Sequence, residues 1–510
     1  MSAPMTRRRL LQTGATGTAL LAVGSTPAFA RTRPSLTHGL QSGDVTTGSG
    51  VVWARADGPC RMVVEFSRTP SFAGARRLDG PILTARTDFT GKQALRGLRA
   101  GTEHFYRVTL EDLLDPGLTS EPLTGSFRTA PMQPRDLSFV WGADIAGQGW
   151  GINPDIGGYR IFSAMGAVDP DFYLCSGDHV YADNPLVPEV TLPDGRVWHN
   201  VTTDAKAKVA ETLAEFRGNF AYNLLDDNLR AFAAHVPQVN QWDDHEVHNN
   251  WFPGQILADD RYTERRIDVL AARARRAFFE YLPVGPTRGD RNGRVYRRIA
   301  YGPLLDVFVL DMRTFKDPNG DNRSTSGRGL LGDAQREWLK HALARSTATW
   351  KVIANDLPLG LVVPDGAAIE AVAQGDPVAP LGRELEFADV LRFAKRRGVT
   401  GIVFVTADVH YTAAHRYDPA RAAFQEFDPF WEFVAGPLNA GAFGPNALDG
   451  TFGPEAVFQS ITPVPNTSPL DGFQFFGHVE IDGDNRAMTV SLRDIDGAAV
   501  HTETLAPAAD

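Results

Sequence analysis

The sequence predicts a layered α/β domain preceded by a small β-sandwich, and three observations carry that expectation. Short alternating or β-branched runs crowd residues 35–130, with no helical period between them. Beyond Arg135, buried apolar runs of strand length alternate with longer amphipathic stretches. Between the two patterns lies a Pro-containing connection, Ala130-Pro131-Met132-Gln133-Pro134. The chain has 510 residues, 43% hydrophobic and 22% charged, which is ordinary globular composition and enough length for two or three domains. That composition excludes a disordered or fibrous protein.

Taken in order, residues 1–30 read as a removable export signal of the twin-arginine kind. Thr6-Arg7-Arg8-Arg9-Leu10-Leu11 precedes a modestly apolar stretch to Val23, and Ala28-Phe29-Ala30 supplies a small-x-small cleavage site. The apolar stretch is too short and too interrupted by Gly and Thr for a transmembrane anchor, which needs about 20 apolar residues. Within 35–130, the runs Gly50-Val51-Val52-Trp53, Arg61–Phe66 and His104–Leu110 are strand candidates. Phe127-Arg128-Thr129-Ala130-Pro131 closes a module of fibronectin III-like character. No cluster of metal-ligating residues falls in it, so its expected role is packing or positioning.

From residue 135 to 505, strands are expected at Leu137–Trp141, Phe172–Cys175, Val236–Asn240, Leu305–Leu310, Trp350–Ala354 and Gly401–Val405. Amphipathic helices are expected around residues 204–231, 260–281, 333–345 and 384–397. Two Gly/Pro/Ala-rich stretches, 360–382 and 437–470, are too long for simple connections and are expected to be lids or disordered excursions.

Charge and cysteine usage narrow the class. Lys and Arg total 51 against 61 Asp and Glu, a net charge of −10. Loss of the signal removes three arginines and no acid. Such a balance argues against a nucleic-acid or anionic-membrane binder, whose footprint is basic. Cys60 and Cys175, the two cysteines of the chain, fall in different predicted domains and are expected to be buried thiols.

The chemistry concentrates at strand ends, where an open α/β sheet presents its site. The first strand runs into Trp141-Gly142-Ala143-Asp144. The second runs into Ser176-Gly177-Asp178-His179-Val180-Tyr181-Ala182-Asp183. The third ends in Trp242-Asp243-Asp244-His245-Glu246-Val247-His248, and a late one in Thr406-Ala407-Asp408-Val409-His410. One Asp after one strand is usually a turn or a helix cap. Four strand ends enriched in Asp, His and Tyr are not explained by capping and suggest a shared metal site.

Gly177-Asp178-His179-Val180-Tyr181, Trp242-Asp243-Asp244-His245-Glu246 and Asp408-Val409-His410 match, in order and spacing, the motifs of the alkaline phosphatase D (PhoD-like) family. Leu310-Asp311-Met312-Arg313 also resembles a segment of that family. The resemblance implies a four-layer α/β metallophosphoesterase sandwich and a phosphate-ester substrate. It implies that Asp178 bridges two metals, that Tyr181 binds Fe3+ through its phenolate, and that Asp408 and His410 complete the iron shell. Asp244 would bind a second metal, Ca2+ by family expectation with Mn2+ or Zn2+ as alternatives. Asn355 would be a further ligand of that metal, His245 would face the substrate phosphate, and Arg313 would bind substrate. Asp144 stands where many members of the family carry Cys, a harder oxygen donor that still suits a ferric ion.

Elementary chemistry supports the same assignment. Free Tyr titrates near ~10, so a phenolate ligand calls for a strongly acidic cation such as Fe3+. Two metals about 3.5–4 Å apart can clamp the attacking and leaving oxygens of an in-line displacement at phosphorus.

Rival signatures fail. There is no G-x-S-x-G elbow, no P-loop and no C-x-x-C pair. His245-Glu246-Val247-His248 is not a zincin helix, because the second His falls at i+3 and position 249 is Asn. Two alternatives remain open on sequence: a phospholipase D acting on phosphatidylcholine-type lipids, and a non-catalytic surface binding protein.

Overall fold

Alternation along the strands dictates how the layers stack. In Leu137–Gly142, side chains 137, 139 and 141 enter one apolar core while Val140 enters another. Phe172–Ser176 repeats this, with Phe172 and Leu174 on one side and Tyr173 and Cys175 on the other. Leu305, Val307 and Val309 of strand Leu305–Val309, Trp350, Val352 and Ala354 of Trp350–Ala354, and Val403 and Val405 of Ile402–Thr406 enter that shared inner core, while Phe308, Ile353 and Phe404 enter a third. Strands apolar on both faces must be covered on both faces. The result is two sheets packed face to face, each roofed by helices on its outer side.

The structure is a computed structural model, and it describes residues 32–285, 293–327, 329–376 and 378–508. The predicted signal, residues 1–30, lies outside the described residues. One sheet has nine strands, in the order Ala499–Leu505, Met488–Asp494, Phe475–Ile481, Leu137–Gly142, Phe172–Ser176, Gln238–Gln241, Leu36–Gly43, Ser49–Ala56 and Thr90–Arg96. Its three central strands are parallel. The other has seven, in the order Arg297–Ala300, Leu305–Val309, Trp350–Ala354, Ile402–Thr406, Phe430–Val434, Thr412–Tyr417 and Pro454–Ser460. Helices Ile161–Ala167, Leu213–Asn223, Asp227–His235 and Ile267–Tyr281 cover the first sheet, and Gly332–Arg345 and Glu384–Arg396 cover the second.

The single helix expected over 204–231 is two. Thr212 opens the first with a reciprocal capping box to Glu215. The chain then turns at Leu224, and Asp226 starts the second helix by accepting the Leu229 N–H at 2.9 Å.

The amino-terminal β-sandwich is present, but one of its sheets is not its own. Arg76–Leu83, Cys60–Ser67, Glu103–Asp112 and Leu123–Arg128 form a separate four-stranded sheet. The three strands facing it continue the large nine-stranded sheet, joined where Gly43 pairs in parallel with Gln238. A Cβ at residue 43 would stand 2.6 Å from the Gln238 carbonyl oxygen and 2.7 Å from that of Pro283, so this junction requires glycine. Around it, Arg297 pairs with Asp44 at 2.7 Å, Lys92 Nζ donates to the carbonyls of Phe279 and Val284, and the Tyr106 hydroxyl donates to the Ala234 carbonyl. Cys60 and Cys175 are both free and buried. Among the described residues, no helix is long and apolar enough to cross a membrane.

The stretches 360–382 and 437–470 pack rather than project. Ala371, Val372 and Ala373 are buried, as are Leu438, Asn439 and Ala440. Asp449 ties the two together by accepting the Gly375 N–H at 2.6 Å. Substituting Gly43→Val is expected to destabilise the whole fold by about 1–3 kcal/mol, because backbone atoms on both sides must move. Cooperative thermal unfolding checks this; an unchanged melting temperature would show that the junction tolerates a side chain.

Candidate metal centre

Three of the segments that carry candidate ligands leave their strands through backbone that L-residues rarely adopt. Asp144 has φ +67°, Asp178 +46°, Asp408 +66° and His410 +59°. Asp tolerates the left-handed region better than most side chains, and strain of this kind persists only where surrounding structure over-determines it. Here the turns are locked together: Ile145 N–H donates to the Asp178 carbonyl, Ala146 N–H to Asn439, and Leu438 N–H to Ala143. Gly436 gives Asp144 its space, since a Cβ there would lie 2.4 Å from Oδ2.

The structure brings together Asp144, Asp178 and His410 as one group and Asp178, Asp244 and His245 as a second, with donor atoms in each group within 4.8 Å of one another. Asp178 is common to both. Tyr181 joins the first group through its hydroxyl, 2.8 Å from His410 Nε2, and its ring stacks on His245 with centroids 4.2 Å apart. All these side chains are buried.

Hydrogen bonding fixes which histidine nitrogen faces the site. His410 Nδ1 lies 2.6 Å from the Gly441 carbonyl, which can only accept, so Nδ1 carries the proton and Nε2 presents a lone pair. His245 Nδ1 lies 2.8 Å from Asp183 Oδ1, leaving Nε2 directed toward Asp244, 3.9 Å from its Oδ1. Asp183 is itself held by the Asn249 N–H at 2.9 Å. Burial alone would lower the His245 pKa; the charges of Asp183, Asp244 and Asp178 win and hold it well above the ordinary histidine value.

The donor set fits hard cations. Both carboxylate oxygens of Asp144, Oδ2 of Asp408 and Oδ1 of Asn355 are buried without a hydrogen-bond partner. Orphaned oxygens of this kind are costly unless something positive meets them. Burial first, and neighbouring carboxylates second, push the acids Asp144 and Asp408 well above the usual range. For Asp178 burial also acts first, and together with the carboxylates of Asp244, Asp243 and Glu246 it prevails over the opposing charge of His245. Asn355 keeps its amide turned away by donating to the Leu357 carbonyl at 2.6 Å, which leaves Oδ1 as its free atom.

Arg313, expected against substrate, has no exposed surface. Its Nε donates to Asp243 Oδ1 at 2.5 Å, its Nη1 pairs with Glu370, and Asp356, Asp408 and Asp244 stand 3.5–3.8 Å away. A guanidinium so enclosed supplies positive charge beneath the carboxylates. Sequence reasoning did not single out Asp183, Asp356, Glu246 or Glu370 as site residues. Asp183 lies five residues beyond Asp178 in the same segment, which is a usable signal. Glu246 closes the turn around the centre by accepting the N–H groups of His179 and Asp243.

Fold and site together define the metallophosphoesterase class of α/β sandwich. The profile of the PhoD-like phosphatase family matches residues 139–492, and that of its N-terminal domain matches 22–131. The chain belongs to the PhoD-like phosphatase family. It is 26% identical over 403 residues to the alkaline phosphatase D of Bacillus subtilis (strain 168), covering 73% of this chain and spanning 64% of that relative's length. The solved structure of PhoD superposes with a TM-score of 0.67 at 20% identity, covering 92% of this chain and 88% of that one. A purple acid phosphatase from yellow lupin (Lupinus luteus) seeds shares the fold with a TM-score of 0.59 at 13% identity, covering 92% of this chain and 74% of that one.

A folded-state carboxyl pKa raised above its unfolded value of about 4 makes the metal-free protein lose stability as pH climbs from that value through the folded one. Asp144→Asn removes this penalty. With chelator present, the variant is therefore expected to be more stable than the parent at about pH 8, by at least about 1 kcal/mol, and by less at about pH 5. Urea unfolding at the two pH values measures the gap; a gap that does not widen with pH contradicts the placement of Asp144.

Proposed function

We propose that the chain is an exported, metal-dependent phosphoesterase of the alkaline phosphatase D type, hydrolysing phosphate monoesters and diesters. The observation that supports this most directly is that one carboxylate, Asp178, belongs to both ligand groups. In this reading Asp144, Asp178, Tyr181, Asp408 and His410 hold Fe3+. Asp178, Asp244 and Asn355 hold Ca2+, with Mn2+ or Zn2+ as substitutes. When bound, such a pair supplies an activated water as nucleophile and charge neutralisation at the phosphate.

The remaining chemistry belongs to side chains. Asp183 retains the proton on His245 Nδ1, so Nε2 is the atom that meets a phosphate oxygen or passes a proton to the departing alcohol, a contribution of about 10²–10⁴-fold. Stacking against Tyr181 limits the swing of the imidazole. The twin-arginine segment would deliver the folded protein to the periplasm or the exterior.

Three measurements test this. Asp178→Asn is expected to abolish metal binding and hydrolysis together. His245→Ala is expected to keep its metals while turnover falls by about 10²-fold or more; metal loss in that variant would show that His245 is a ligand. With Ca2+ added, p-nitrophenyl phosphate and its bis-ester should be cleaved faster than choline is released from phosphatidylcholine. The reverse order would make the enzyme a phospholipase D, and colourless, iron-free protein without any of the three activities would leave a binding protein.

A further inference from the structure

We propose that Glu370 is a positioning residue that sets cation affinity at Asp244 and Asp408 by fixing the plane of the Arg313 guanidinium. This rests on the metal-centre reading and adds to it a residue from outside the four strand ends. Glu370 comes from the 360–382 stretch and is 3% exposed. Its carboxylate pairs with Arg313 Nη1, and the buried Lys316 Nζ stands 3.7 Å away. Its backbone is held from both sides: the N–H donates to the Val363 carbonyl at 2.9 Å, and its carbonyl accepts from Arg383 Nη1 at 2.5 Å.

At the opposite edge of the guanidinium, Asp243 Oδ1 accepts from Nε and lies 2.5 Å from Nη2. A planar cation gripped at both edges cannot choose where its remaining N–H points. Nη2 lies 3.7 Å from Asp408 Oδ1 and 3.8 Å from Asp244 Oδ2. At that range the positive charge offsets repulsion between the two acids but forms no hydrogen bond, so their oxygens stay available to a cation. Released at Nη1, the guanidinium is free to rotate onto either carboxylate and compete for it. Glu370 therefore also makes cation binding depend on the seating of a stretch that contributes no ligand of its own.

The test uses full-length protein stripped of metal, titrated with Ca2+ by calorimetry, and separately loaded with Fe3+ for its visible absorption. In Glu370→Gln the Ca2+ Kd is expected to rise about tenfold or more and the Tyr181-dependent visible band to need more Fe3+ to reach full intensity, while circular dichroism stays as in the parent. Glu370→Asp, which restores a shorter carboxylate, should recover part of the affinity. An unchanged Kd in Glu370→Gln overturns the proposal. If that variant does not fold, Glu370→Asp alone decides, a rise in Kd supporting the role and none overturning it. A parent protein that binds neither Ca2+ nor Fe3+ would instead remove the metal-centre reading, and this inference with it.

Discussion

Several acids enclosed in one dry interior is the constraint on which the rest of this structure depends. Asp144, Asp178, Asp243, Asp244, Asp356 and Glu370 are all buried, and Asp408 is nearly so; carboxylates cannot all ionise side by side away from water. One buried guanidinium and one buried ammonium, those of Arg313 and Lys316, offset part of that charge. The orphaned oxygens of Asp144, Asp408 and Asn355 mark where the rest must come from outside the chain. The fold answers the same constraint structurally, since Asp144, Asp178 and Asp408, set in strained turns beyond strand ends, cannot readily move apart to relieve repulsion.

Division of labour between the two sheets follows. Asp144, Asp178 and Asp244 come from ends of the nine-stranded sheet, while Asn355, Asp408 and His410 come from the seven-stranded one. The centre is therefore assembled across the apolar layer that holds the sheets together, and its geometry inherits the register of that layer. Shear between sheets would change distances at the site, and the interlocked turns at residues 145, 146 and 438 oppose such shear at the point where it matters.

Much of this was legible in the sequence, for a physical reason. Fully buried parallel strands read as continuous apolar runs, so Leu137–Trp141, Phe172–Cys175 and Trp350–Ala354 declared themselves to within a residue. The acids and histidines after them stood out because polar residues directly beyond such runs have few other reasons to be there. The break at Leu224 was hidden, because nothing in a helical period marks where a cap interrupts it. The fusion of the amino-terminal sandwich with the main sheet was hidden too: it depends on one pairing, Gly43 with Gln238, between segments far apart in the chain. Glu370 lay in a stretch whose composition suggested an excursion; its burial is a property of the folded chain that no local pattern announces.

The nine-stranded sheet is closed by the two extremities of the described chain, with Leu36–Gly43 and its neighbours on one flank and Phe475–Leu505 on the other. Of the strands between them that lead into the candidate site, Leu137–Gly142 acquires its second neighbour only once Phe475–Ile481 has been synthesised. A chain interrupted before residue 475 would leave Leu137–Gly142 as a bare ladder of amide groups beside an acidic hollow, open to pairing with another copy. Synthesis as far as residue 481 is thus a condition for a fully paired Leu137–Gly142 strand beside the candidate site, and a shorter product is set up for aggregation instead of partial function.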